Sequence, residues 1–165
     1  MRSLRIHALV LLIAISSFTL NAVAFDAVDI DGNEVSSDIF SSSRLTMVNV
    51  WATYCNPCLA EMPYLGEIAN EYDKSDFTLI GIISDVDQNS NERRIQYARF
   101  LVQATKADYV HLLLNKDLYN ALLKGVSVVP TTFFIDSDEN VIDTVLGSKS
   151  KSDWKAKIDA LLSSL

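Results

Sequence analysis

Beyond residue 24 the chain has two cysteines, Cys55 and Cys58, and one histidine, His111. That scarcity rules out a structural zinc site, which takes four ligands, usually Cys or His. No cysteine follows the N-terminal apolar run, so a bacterial lipid anchor is excluded. Internal repeats and low-complexity runs are missing. So is a basic excess: 14 basic side chains face 21 acidic ones, for a net charge of −7. A nucleic-acid binder needs a basic surface for its phosphate contacts, so the partners exclude nucleic acid. The acidity favours solubility and does not bear on fold.

The N-terminus has the three parts of a secretory signal. Arg2 and Arg5 precede the apolar stretch His7–Leu20, and Ala22-Val23-Ala24 offers small residues at peptidase spacing. The alternative is an uncleaved anchor, but a span needs about 20 mostly apolar residues. Ser16, Ser17 and Thr19 dilute this shorter run. The expected division is a signal over 1–24 and one domain over 25–165, in a periplasmic or other extracytoplasmic compartment. Without Arg2 and Arg5 the basic count falls from 14 to 12, and the charge from −7 to −9. A domain of that size buries a core without staples.

Alternation over Phe25–Val35 around Asp31-Gly32 reads as a hairpin. Ser36–Arg44 reads as a loop with one helical turn. Leu45–Ala52 and Phe77–Ser84 are apolar runs of strand length, suited to strands buried on both faces. From Asn56, apolar residues at spacings of three and four (Leu59, Met62, Leu65, Ile68, Ala69, Tyr72) mark a helix. Pro63 is expected to kink it. Glu92–Ala107 reads as a helix with Ile95, Ala98, Phe100, Leu101 and Val102 inward. Tyr109–Leu114 reads as a strand, and Asp117–Gly125 as a short helix stopped by glycine. Val129–Asp136 and Asn140–Gly147 pair across a turn. Lys151–Leu165 closes the chain as a helix with Trp154, Ile158, Leu161 and Leu162 inward. Helix–strand alternation followed by a hairpin gives an α/β fold with a central mixed sheet.

Cys55 falls just before the first helical turn and Cys58 inside it. Residues three apart on a helix are neighbours, at about the 5.5 Å between Cα atoms that a disulfide needs. The pair closes almost no loop, so as a staple it would stabilise little. Cys55 faces unpaired N–H groups and the positive helix end, which favour thiolate. Cys58, one turn deeper, suits the resolving role. Two readings stay beside dithiol redox: a Cu(I) site of Cys55, Cys58 and His111, since Cu(I) prefers soft ligands, and a binding module with a vestigial motif.

Trp51, Ala52, Cys55, Pro57, Cys58 and Pro63, with the preceding Met47–Val50, resemble the thioredoxin active-site pattern. Val129–Thr132 resembles its cis-proline loop. The N-terminal hairpin, Glu61 three residues after Cys58, and the inserted helix and strand over Glu92–Leu114 resemble the TlpA/ResA-like branch of exported thiol–disulfide oxidoreductases. Departures exist. Asn49 stands where thioredoxin has a buried Asp, and Gly81–Ser84 lacks its Lys. Tyr54 replaces a Trp. The absence of a GAPE sequence weakens a haem-thiol role.

The resemblance implies a thioredoxin-like fold, with an N-terminal β-hairpin and an inserted helix–strand. It implies a protein-disulfide reductase, working by a Cys55/Cys58 dithiol–disulfide cycle without a cofactor or metal. A dithiol oxidase is the alternative. Glu61 becomes a proton carrier for Cys58, whereas spacing alone reads it as a solvated helix glutamate. Pro130 becomes the cis-proline, and Trp51, Tyr54, Pro57, Val129 and Pro130 become the substrate-binding rim, with Trp51 and Tyr54 half core and half rim. Implied partners are protein disulfides or thiols and a membrane electron donor of the DsbD/CcdA type, with the chain a monomer.

Overall fold

The computed structural model describes residues 23–165. The expected export segment lies outside the described residues except for Val23 and Ala24. Val23 is buried, and its N–H donates to Glu139 O at 3.2 Å. Among the described residues no helix is long and apolar enough to cross a membrane.

An antiparallel hairpin of β1 (Asp26–Val28) and β2 (Glu34–Ser36) opens the domain. Asp29 builds its turn by accepting from Asp31 N–H, Asn33 N–H and Asn33 Nδ2, and Gly32 supplies φ +92°. A 3-10 turn over Ser37–Ser42 follows. Then come β3 (Leu45–Trp51), α1 (Asn56–Ala69), β4 (Phe77–Asp87), α2 (Glu92–Ala104) and β5 (Val110–Leu114). Next is α3 (Lys116–Leu118), which runs into a π-helical turn over Tyr119–Leu123 and ends before Gly125 at φ +98°. β6 (Thr131–Asp136), β7 (Val141–Leu146) and α4 (Lys151–Leu162) complete the chain.

The five-stranded sheet has the order β5-β4-β3-β6-β7. β4 runs parallel to β3 and to β5, while β6 is antiparallel to β3 and β7 to β6. β3 sits in the middle, and all seven of its residues are buried, as a mostly apolar run with Thr46 and Asn49 as its polar members allows. Val48, Val50, Ile80, Ile82, Leu112 and Ile135 face the hairpin, the 3-10 turn and α3. The opposite face packs against α1, α2 and α4 in two further clusters.

One expectation needs correction. Phe100 is 60% exposed, because Ala98 and Leu101 form the buried side of α2 and Phe100 lies off it. α1 runs as one helix through Pro63, which is on its exposed side.

Gly66 marks the tightest approach of α1. A Cβ there would lie 2.5 Å from Lys106 O, at the end of α2. In an open helix, alanine for glycine gains about 1 kcal/mol. Here we expect the opposite sign: Gly66→Ala should destabilise by about 1–3 kcal/mol. A lower urea midpoint with an unchanged m value would show it.

Candidate active site

Cys55 and Cys58 are joined by a disulfide, with Cα atoms 5.3 Å apart. Cys55 is the N-cap of α1. Its φ of −89° and ψ of 93° are extended, and its Sγ accepts from Cys58 N–H at 3.2 Å. A sulfur thus occupies the place that a Ser or Asp oxygen usually fills, facing the free N–H groups of the first turn. Cys55 is 6% exposed and Cys58 is fully buried. The two cysteines are unequal: Cys55 is slightly exposed beside a positive helix end, and Cys58 is wholly shielded behind it.

The loop before Cys55 is pinned from β4. Asp85 accepts from Thr53 N–H at 2.9 Å and Thr53 Oγ1 at 2.5 Å, and Ser84 Oγ donates to Trp51 O at 3.0 Å. Cys55 N–H donates back to Ala52 O at 3.0 Å. On the other side lies the Val129–Pro130 peptide, which is cis. Val129 O is 3.6 Å from Cys55 Sγ. In the disulfide that sulfur has no proton, so the contact becomes a hydrogen bond only on reduction. Tyr54 is 74% exposed, and Pro57 is also exposed. Val129 is half-buried and Pro130 buried.

Glu61 corrects the residue-level reading, since it is fully buried rather than solvated. Asn49 Nδ2 donates to its Oε1 at 3.0 Å, while Trp154 Nε1 and Lys149 N–H donate to Oε2 at 3.2 and 3.3 Å. Asn49 Nδ2 also donates to Thr132 Oγ1 at 3.1 Å, and among the described residues its own Oδ1 has no hydrogen-bond partner. Burial pushes Glu61 above the usual carboxylate range, against the donors that pull it down.

Trp51 is wholly buried rather than half at the rim. Its indole N–H donates to His111 Nδ1 at 3.1 Å, and His111 Nε2 pairs with Ala107 O at 3.0 Å. An indole nitrogen only donates, so Nδ1 is the acceptor and Nε2 carries the proton. Burial lowers the imidazole pKa to about 4. Both ring nitrogens are therefore engaged away from the cysteines, so His111 is not a third ligand for the copper reading. Among the described residues no group of three His, Cys, Asp or Glu could hold a metal.

Several contributors to the site escape sequence reasoning. Trp154 reads as core, and Lys149, Asp85 and Thr53 give no signal at all. Each acts across at least 32 positions. The one available cue is Asn49, a lone polar residue in a buried strand that has to find partners.

Glu61 gives a pH test. A carboxyl with a raised folded pKa contributes stability fully below its unfolded value, near 4.5, and loses it as pH rises through the folded value. We expect wild-type stability, relative to Glu61→Gln, to decline as pH rises above about 4.5. Urea unfolding across a pH series checks this; a flat difference would mean that the carboxyl titrates as if in water.

A family model described as Redoxin matches residues 15–162. The chain is 27% identical over 114 residues to the thiol-disulfide oxidoreductase ResA of Geobacillus thermodenitrificans, covering 69% of this chain and 61% of that protein. It is 28% identical over 127 residues to ResA of Bacillus thuringiensis subsp. konkukian, covering 77% of this chain and 68% of that one. Thus the chain spans about two thirds of the length of these relatives. A crystal structure of a thioredoxin-family thiol:disulfide interchange protein from Chlorobium tepidum TLS superposes with a TM-score of 0.71 at 25% identity, over 86% of this chain and 94% of that one. The oxidisable pair at a helix start, the thioredoxin-like sheet and these matches agree: the chain belongs to the Redoxin family, in its ResA/TlpA-like branch of thiol–disulfide oxidoreductases.

Proposed function

We propose that the protein is an exported thiol–disulfide oxidoreductase that reduces protein disulfides. The observation that carries this reading is the inequality of the two sulfurs, with Cys55 Sγ accepting the Cys58 N–H at 3.2 Å. In the cycle, Cys55 thiolate attacks a substrate disulfide and releases one substrate thiolate, which takes up a proton. Cys58 then loses its proton and attacks Cys55 Sγ, releasing the second substrate thiol and closing the disulfide. Two electrons pass from the pair to the substrate. Glu61 exchanges the proton of Cys58. It lies one turn further along α1, and a carboxyl raised by burial suits proton transfer nearer neutral pH.

Substrate lies as an extended strand along Val129, where Pro130 leaves no competing N–H, against the exposed Tyr54 and Pro57. Trp51 supports that rim from below. A membrane electron donor of the DsbD/CcdA type restores the dithiol. Support for export comes from the Arg2–Ala24 pattern and from the branch to which the chain belongs.

Cys58→Ser should accumulate covalent adducts with partner proteins, while Cys55→Ser should not. Non-reducing electrophoresis and mass spectrometry of the adducts check this. Equal trapping by both variants would overturn the division of roles.

Direction follows from the residues between the cysteines. Asn56 and Pro57 carry no positive charge, and a buried carboxyl nearby opposes a thiolate. Neither feature stabilises a thiolate strongly, so the disulfide is comparatively stable and the potential lies on the order of −200 mV or below. The oxidised protein should unfold at higher denaturant than the reduced one. If the reduced form is the more stable by over about 1.4 kcal/mol, equivalent to some 30 mV, the protein is an oxidase.

A further inference from the structure

Trp51 ends β3 and packs in one buried cluster with Cys55 and Cys58. Its N–H has a single acceptor, His111 Nδ1 at 3.1 Å, with the rings edge-on at 84°. His111 belongs to β5, the strand that follows the inserted helix α2. Three features fix the imidazole. Ala107 O, between α2 and β5, accepts from Nε2. Tyr109 packs on the ring with centroids 4.3 Å apart. Gly81 is the register partner of His111 on β4, and a Cβ there would fall inside the imidazole. The sheet gives up a side chain at Gly81 to admit this ring. A buried imidazole bonded to a tryptophan of the cysteines' cluster, with both nitrogens satisfied and a glycine making room for it, is built to hold one neighbour in one orientation.

We propose that His111 is a positioning residue of the dithiol site: through Nδ1 it holds the Trp51 indole in place, so that the inserted α2–β5 unit helps set the dithiol–disulfide equilibrium. The inference rests on the redox reading of Cys55 and Cys58. The physical reason is the orphan donor left when the acceptor is removed. A buried indole N–H without a partner is costly and turns to another acceptor. Trp51 packs in the same buried cluster as both cysteines, so a shift of the ring loosens the packing around the closed disulfide. Freeing the indole should therefore favour the dithiol.

Two substitutions separate the ring's two hydrogen bonds. Asn Oδ1 stands in for Nδ1 and keeps an acceptor for Trp51. Gln Nε2 stands in for the imidazole Nε2 and keeps the donor to Ala107 O, but offers no acceptor at the Nδ1 position. The measurement is the equilibrium constant of each protein with a glutathione redox buffer. His111→Gln should shift it toward the dithiol by about five-fold or more, and His111→Asn should stay within about two-fold of wild type. In a Trp51→Phe background, where no indole N–H exists, His111→Gln should cause no further shift. Equal shifts in the Asn and Gln variants, no shift in either, a shift toward the disulfide, or a shift that persists without Trp51 overturns the proposal. A second readout needs no redox activity. In the oxidised protein the Trp51 indole N–H resonance should exchange slowly in wild type and His111→Asn and quickly in His111→Gln, with Trp154 as the internal control. If wild type does not equilibrate with glutathione, the proposed function fails, and indole exchange still decides whether His111 anchors Trp51.

Discussion

The structure turns on a carboxylate buried without a countercharge at hydrogen-bond distance. Glu61 is held by three N–H donors: Asn49 on β3, Trp154 on α4 and the backbone of Lys149 just before α4. Burying a charge is expensive unless its lone pairs are met, so these donors have to converge. Their convergence ties the central strand, the cysteine-bearing helix and the closing helix to one point. Trp154 and Ile158 complete that docking by burying the apolar side of α4 beside Leu65 and Ile68. Removing one donor would leave the others around an under-solvated charge, which is worse than having no charge there.

The cysteines sit at the end of this arrangement. α1 is fixed along its length by Gly66 against Lys106 O and by Glu61 beneath the sheet. Its first turn is fixed by the loop contacts of Thr53 with Asp85. A pair that opens and closes gains from such a frame. With the backbone held on both sides of the pair, the disulfide closes between Cα atoms 5.3 Å apart, the ordinary separation for such a bond. Around the pair, Tyr54 is exposed and Val129 half-buried.

Much of this was legible in the sequence, where a local rule decides the outcome. The apolar runs at Leu45 and Phe77 read as strands buried on both faces. Cys55, read just before the first helical turn, is the cap of α1. The structure adds caps at Asn91, Asn115 and Ser150, each accepting from a backbone N–H three residues on. The misreadings share another origin. Glu61 looks solvated because helix periodicity says nothing of α4, which arrives 93 positions later to close over it. Phe100 looks inward because apolarity alone does not say which flank of α2 meets the sheet. Trp51 looks half at the rim because its acceptor, His111, is 60 positions away.

The same comparison shows where this chain departs from thioredoxin in substance. Asn49 replaces a buried acid, and no lysine follows on β4. The buried acid of this chain is Glu61, which lies on the cysteines' own helix rather than on the strand. Asn49 is then not a degraded acid but the donor that the buried carboxylate needs, and Thr132 beside cis-Pro130 accepts from the same amide nitrogen. Carboxylate, strand and cis-proline strand thus share one hydrogen-bonded row. A change of protonation at Glu61 alters the acceptor that Asn49 sees, and through it the strand that begins beside Val129. Two hydrogen bonds from one amide nitrogen therefore connect the buried carboxyl to the strand that follows the cis peptide.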